Sequence, residues 1–138
     1  MADDITQLPP PSNFSATLGI ESVVVTPEHA EYRMPVTEGM ANRNGVLHGG
    51  ALMSLVDHAA GTLAFVCCDE ETTNVTVEAK TNFFRAARVG DVVTAVASPL
   101  HSGRSTMVIQ VMATREDGKA VSSTTQTQVL VRWRDEAS

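Results

Sequence analysis

The sequence predicts an α+β domain in which one long helix lies against a mainly antiparallel sheet. Three observations lead there: a single apolar stripe of helical period between Gly49 and Cys67, period-two segments on both sides of it, and short connections marked by turn residues such as Asp117-Gly118. The 138 residues suit one domain, able to bury roughly two thirds of the surface that its unfolded chain exposes. With 43% hydrophobic and 19% charged residues, wholesale disorder is excluded.

Residues 1–11 end in Pro9-Pro10-Pro11, which cannot continue a regular element, and are expected to form a disordered tail. Residues 12–134 form the single domain and 135–138 a C-terminal tail. Residues 12–18 read as a short helix stopped by Gly19. Residues 20–26 and 30–36, rich in β-branched side chains and broken by Pro27 and Pro35, read as two strands. From 49 to 67, Leu52, Leu55, Val56, Ala59, Leu63 and Val66 follow the i, i+3, i+4, i+7 rule, while Ser54, Asp57, His58 and Thr62 fall on the other side. This segment is expected to be a buried central helix with one polar seam. After Asp69-Glu70-Glu71 the period switches to two, giving strands at 73–84, 91–98, 104–115 and around 122–133. Pro99 and His101-Ser102-Gly103 divide the second and third of these, and Asp117-Gly118 is a hairpin signal.

Composition narrows the function. A net charge of −6 argues against nucleic-acid binding, which needs a basic face. Asp57 interrupts the most apolar stretch, so no membrane-spanning segment is expected, and the acidic, proline-rich start does not resemble a signal peptide. Cys67 and Cys68 are neighbours, poorly placed for a disulfide; they read as free thiols of a cytoplasmic protein. One segment is basic: Lys80, Arg85, Arg88 and Arg104 are opposed only by Asp91, a pattern that suits a small anionic ligand or an ordinary solvated surface.

The chemistry concentrates in Asn42-Arg-Asn-Gly45-Val-Leu-His48-Gly49-Gly50, followed on the helix by Asp57. The free N–H groups of a helix start form a positive end suited to an oxyanion, and two glycines expose them. A carboxylate in an otherwise apolar helix is costly unless paired or functional. N–H groups that polarise a carbonyl, with a carboxylate that activates water or attacks, describe acyl transfer. Asp57 lies eight residues beyond Gly49, roughly 12 Å at 1.5 Å per residue, too far for both to reach one carbonyl from a single helix. The two groups must then come from different subunits. Other readings stay open: His48 as a structural histidine, Thr76 as a plain strand residue, and His48-Gly-Gly as a tight junction without chemistry. Ser54 and His58 are i, i+4 neighbours, but a mid-helix hydroxyl more naturally bonds its own helix. His48, Asp57, His58 and His101 lack metal-binding spacing, and no metal is expected.

The segment Asn42-x-x-Gly45-x-x-His48-Gly49-Gly50 with Asp57, and the later 75–91 stretch, resemble the hotdog-fold acyl-CoA thioesterases of the PaaI type. Gly103-Arg104 and Gly118-Lys119 extend the likeness over residues 15–133. The resemblance implies a sheet wrapped round the helix, a homodimer as the minimal active unit, a homotetramer as the common assembly, and no cofactor beyond the coenzyme A carried by the substrate. It implies hydrolysis of a small, medium-chain or aromatic acyl-CoA, with Asp57 as general base or nucleophile and the Gly49 N–H as oxyanion donor. Asn42 would orient water or substrate, His48 would shape the turn and touch the thioester, and Thr76 would help to place water. Gly50, Arg85, Arg88 and Arg104 would meet coenzyme A. Two other readings on this fold are a non-catalytic acyl-CoA sensing module and a hydratase or dehydratase.

Overall fold

The structure is a computed structural model that describes residue 8 and residues 10–133. The described residues form α1 (Asn13–Thr17), β1 (Glu21–Thr26), β2 (His29–Pro35), a one-turn 3-10 helix (Glu38–Met40), α2 (Gly49–Val66), β3 (Thr72–Phe83), β4 (Val92–Ser102), β5 (Thr106–Thr114) and β6 (Ala120–Arg132). The six strands make one sheet in the order β1-β2-β4-β5-β6-β3, every neighbouring pair antiparallel. The sheet curls around α2, which packs against all six strands, so this is the hotdog arrangement. The expected tails lie outside the described residues, except Leu8, Pro10 and Pro11; Leu8 packs, half-buried, against the core.

Small side chains let the helix lie close to the sheet. Ala30 pairs with Ala97, Tyr32 with Ala95 and Ala95 with Ala113, while α2 presents Ala59, Ala60 and Ala64. Between them Leu55, Leu63, Met34, Met107 and Ile109 are fully buried, and truncating Leu55 or Leu63 to alanine costs about 2–5 kcal/mol. By length and composition α2 is apolar enough to cross a bilayer, Asp57 notwithstanding; in this fold its Leu52, Leu55, Val56 and Leu63 are spent on the core.

Two sequence expectations need correction. α2 is not buried all round in one chain: Met53, Asp57 and Phe65 are exposed, because the sheet covers only the stripe side. And β4 does not stop at Pro99 but runs to Ser102 through a bulge between Pro99 and His101, an arrangement that tolerates a residue without an N–H.

β6 is unusual in what it buries. Its inward positions Ser122, Thr124, Gln126 and Gln128 are polar and almost wholly inaccessible, although the strand lies between β5 and β3. Thr124, Gln126 and Gln128 form a hydrogen-bonded layer beside the polar side of α2, while the buried Ser122 hydroxyl has no partner among the described residues.

Candidate active site

His48 caps α2 with its side chain. The Gly50 N–H donates to His48 Nδ1 at 2.9 Å, and the Ala51 and Leu52 N–H groups donate to the His48 carbonyl at 3.0 and 3.1 Å. An accepting Nδ1 leaves the ring proton on Nε2. This disposes of all the early helix donors but one. The Gly49 N–H has no acceptor among the described residues, and it borders a cavity of about 370 Å³. Of the two glycines read as donors, only Gly49 is therefore free; the Gly50 N–H is taken by the cap. A Cβ on Gly49 would stand 3.3 Å from the Phe83 ring, and one on Gly50 would stand 3.1 Å from His48 Nδ1, so neither position has room to spare.

Asn42 lines the same cavity as Gly49. Its Oδ1 accepts from the Asn44 N–H at 2.9 Å and the Val46 N–H at 3.3 Å, closing a turn that Gly45 completes at φ 76°. With the oxygen occupied, the Nδ2 amide is the side chain's remaining polar group. Leu52, Phe83, Phe84 and Arg85 are also part of the lining.

Asp57 faces elsewhere. It stands between a cavity of about 220 Å³, shared with Met53, Thr81, Thr124 and Gln126, and one of about 720 Å³, lined by Leu8, Tyr32, His58, Thr62 and Phe65 among others. Gln126 Nε2 donates to Asp57 Oδ1 at 2.8 Å. Asp57 and Gly49 thus open onto separate cavities of one chain, as the helix spacing requires. Thr76 lines neither of these two cavities; its hydroxyl accepts from Gln128 Nε2 at 2.6 Å, two side chains away. The β3 residues that border the smaller Asp57 cavity are Ala79 and Thr81, the Thr81 hydroxyl 2.8 Å from that of Thr124. Ser54 donates to the Gly50 carbonyl at 2.9 Å, as a mid-helix hydroxyl should.

His58, next to Asp57, is half-buried. Its Nδ1 lies 3.0 Å from the Ser15 hydroxyl, which accepts from Ser12, and its ring meets Tyr32 edge-on at 4.6 Å. Burial lowers its pKa below the ordinary histidine value, and the Asp57 charge only partly opposes this. Burial likewise raises the Cys67 and Cys68 thiols, both free.

The three arginines do not converge within one chain. Arg85 borders the Gly49 cavity and donates to the Ala120 carbonyl at 3.0 Å. Arg88 is exposed nearby, its backbone N–H bound to Asp91 Oδ2 at 2.7 Å. Arg104 occupies the β4–β5 turn, where the neighbouring Ser105 carbonyl accepts from the Leu130 N–H; the Arg85 N–H bonds Val121 at the other end of β6. Nine residues of strand separate those anchors, about 30 Å at 3.3 Å per residue, so Arg104 stands apart from the basic cluster that the sequence suggested. No group of three or more His, Cys, Asp or Glu able to hold a metal occurs among the described residues.

Residues 44–122 match the family model described as the thioesterase superfamily. The chain is 34% identical over 103 residues to a 1,4-dihydroxy-2-naphthoyl-CoA hydrolase of Listeria monocytogenes, covering 75% of this chain and 83% of that one. It is 31% identical over 105 residues to the acyl-coenzyme A thioesterase PaaI of Escherichia coli, covering 76% and 73%. The solved structure of that PaaI protein superposes with a TM-score of 0.79 at 28% identity, over 87% of this chain and 85% of that one. A hypothetical thioesterase from Streptococcus pneumoniae, solved with coenzyme A, superposes with a TM-score of 0.76 at 27% identity, over 84% and 88%.

Proposed function

The chain belongs to the thioesterase superfamily, and from that premise we propose that it hydrolyses the thioester of a small, medium-chain or aromatic acyl-CoA to the free acid and coenzyme A. The observation that carries the reading is the Gly49 N–H, without an acceptor among the described residues at the positive end of an 18-residue helix, on a residue that lines a cavity. There it would receive the thioester oxygen, with Asn42 Nδ2 as a second donor. Asp57 would activate water, or attack the carbonyl carbon itself. In either route the C–S bond breaks and the coenzyme A sulfur takes up a proton; in the first, water adds its oxygen to the acyl carbon directly, and in the second, water hydrolyses the mixed anhydride formed with Asp57 and frees the carboxylate. Coenzyme A enters only as part of the substrate, so the reaction needs no other cofactor.

The working unit in this reading is a homodimer, with the Asp57 of one protomer facing the Gly49 of its partner, and two dimers form a tetramer. Two features support it. Gly49 and Asp57 open onto separate cavities of a single chain, and β3, at one edge of the sheet, exposes Val75 and Val77, an edge that stable proteins usually cover. Leu52, Phe83 and Phe84 beside Gly49 favour an apolar acyl group, and the Listeria relative's name supports an aromatic one. Arg85 and Arg88 near that cavity suit the phosphates of coenzyme A, and Arg104 could join them only from another protomer. Free thiols at Cys67 and Cys68 fit a cytoplasmic setting.

The test is release of free thiol from acyl-CoAs of short, medium, long, benzoyl and phenylacetyl type, comparing wild type with Asp57→Asn. Hydrolysis that falls by about a thousandfold or more in the variant supports the reading. Wild-type protein that binds coenzyme A esters and hydrolyses none overturns it in favour of a sensing module.

A further inference from the structure

Asp57 is held from beneath by a chain of amides that runs in one direction only. It starts at the carbonyl of Gly61, one helical turn beyond Asp57, which as a backbone oxygen can only accept. Asn74 Nδ2 donates to it at 3.1 Å and also donates to Gln128 Oε1 at 3.0 Å. With its oxygen engaged, Gln128 turns its nitrogen outward and donates through Nε2 to Gln126 Oε1 and to the Thr76 hydroxyl. Gln126 in turn has its oxygen engaged, and its Nε2 donates to Asp57 Oδ1. Gln126 and Gln128 are 1% and 0% exposed, so bulk water offers them no competing partners. The orientation of every amide follows from the Gly61 carbonyl at the far end.

We propose that Gln126 is a positioning residue for the hydrolysis, and that the chain from Gly61 through Asn74 and Gln128 sets its orientation, so that Asp57 Oδ1 is held and Oδ2 is left to act. This rests on the reading of Asp57 as the reacting carboxylate. Aligned amides polarise one another, and a hydrogen bond to a charged acceptor in a dry site is strong and directional. Register supports the chain: β3 bulges between Thr76 and Glu78, which sets Thr76 opposite Gln128 and small Ala79 opposite Gln126. The titratable groups that share a cavity with Asp57 are Glu21 from β1, Tyr32 from β2 and His58 from α2, all in the larger cavity; β3 and β6 contribute only neutral side chains to the smaller one.

The chain makes an unusual demand of Asn74, which does not touch Asp57. Asn74→Asp keeps the shape but has only acceptors. Gln128 and then Gln126 must turn over, and an oxygen is presented to the carboxylate in place of a nitrogen. Gln126→Met removes the amide while filling its volume. In both variants kcat is expected to fall about tenfold or more, with KM and the affinity for a non-hydrolysable thioether analogue unchanged within about twofold. The acid side of the kcat/KM profile moves to higher pH in both. A purely structural role predicts lower thermal stability with wild-type kcat and an unmoved pH profile, and that result in either folded variant overturns the proposal. Should Gln126→Met not fold, Asn74→Asp decides, since Asn74 is half-exposed on the edge strand. Asp57→Asn measured alongside separates the two failures. If that variant keeps wild-type activity, the reading of Asp57 fails; if it is inactive while the amide variants match wild type, only the positioning inference fails.

Discussion

The N–H of Gly49 and the carboxylate of Asp57 stand eight residues apart on one helix and open onto different cavities, the first beside Asn42 and Phe83, the second beside Thr81 and Gln126. In the proposed reaction one helix would therefore supply both halves of an acyl-transfer site without completing a site itself. The consequences can be tested at each end of the helix.

At the amino end, Gly49 occupies the first helical position, where proline is well tolerated because its missing N–H has no helical partner. Gly49→Pro deletes the proposed oxyanion donor while keeping the helix start; Gly49→Ala adds a Cβ against Phe83 but keeps the donor. Steady-state kinetics should show kcat lower by roughly 10²–10³ for the proline variant and by much less for the alanine. Equal losses would assign the effect to the Phe83 contact.

Asn42 has two ends with two tasks. Asn42→Asp keeps the oxygen that closes the Asn42–Val46 turn and replaces the amide proposed as a second oxyanion donor. Thermal melting should stay close to wild type while kcat/KM falls by about tenfold, the scale of one lost hydrogen bond to a charged oxygen. A large loss of stability with normal kcat/KM would make Asn42 a loop residue only.

The cap can be tested through Gly50. A Cβ there would stand 3.1 Å from His48 Nδ1, so Gly50→Ala should displace the ring and lose the cap, costing about 1 kcal/mol. Calorimetry of Gly50→Ala, His48→Ala and the double variant should show that the two losses do not add, because both remove one hydrogen bond.

His58 makes stability depend on pH with a definite sign. Its folded pKa lies below the ordinary 6.5 because burial disfavours the charged ring. As pH falls, the unfolded chain takes up the proton first, so the stability present above pH 6.5 is lost as pH drops through 6.5 towards the folded value. His58→Asn keeps an acceptor for the Ser15 hydroxyl without titrating in this range. Denaturation midpoints should decline less for that variant than for wild type on acidification below about pH 6.5. An identical decline would place the acid sensitivity elsewhere.

Gly49 and Asp57 were legible in the sequence because α2 has a clear apolar stripe: once Leu52, Leu55, Ala59 and Leu63 set its inner side, the glycines and the carboxylate had defined places. The amide chain was not legible. Residues 121–128 read Val-Ser-Ser-Thr-Thr-Gln-Thr-Gln, polar at both parities, so alternation gave no inner face. The buried side became evident only when β6 was found between β5 and β3, under the polar side of α2. Thr76 lies two side chains from Asp57 for a related reason, since the bulge between Thr76 and Glu78 changes which β3 residues border the carboxylate's smaller cavity. Arg104 looked like part of one basic segment, but proximity in sequence is undone when β4 and β5 carry its turn to the far end of the sheet.

The most direct test of the whole account is mixing of subunits. Asp57→Asn and Gly49→Pro protomers are each purified, shown to be inactive, then unfolded together and refolded as a mixture. If each site takes its carboxylate from one protomer and its oxyanion donor from the other, every mixed dimer contains one intact site and one doubly damaged site. Random pairing in a two-fold dimer then restores about a quarter of wild-type activity. A mixture that folds, forms mixed dimers and stays as inactive as its parents would contradict the account, because both groups would then have to act from the same chain.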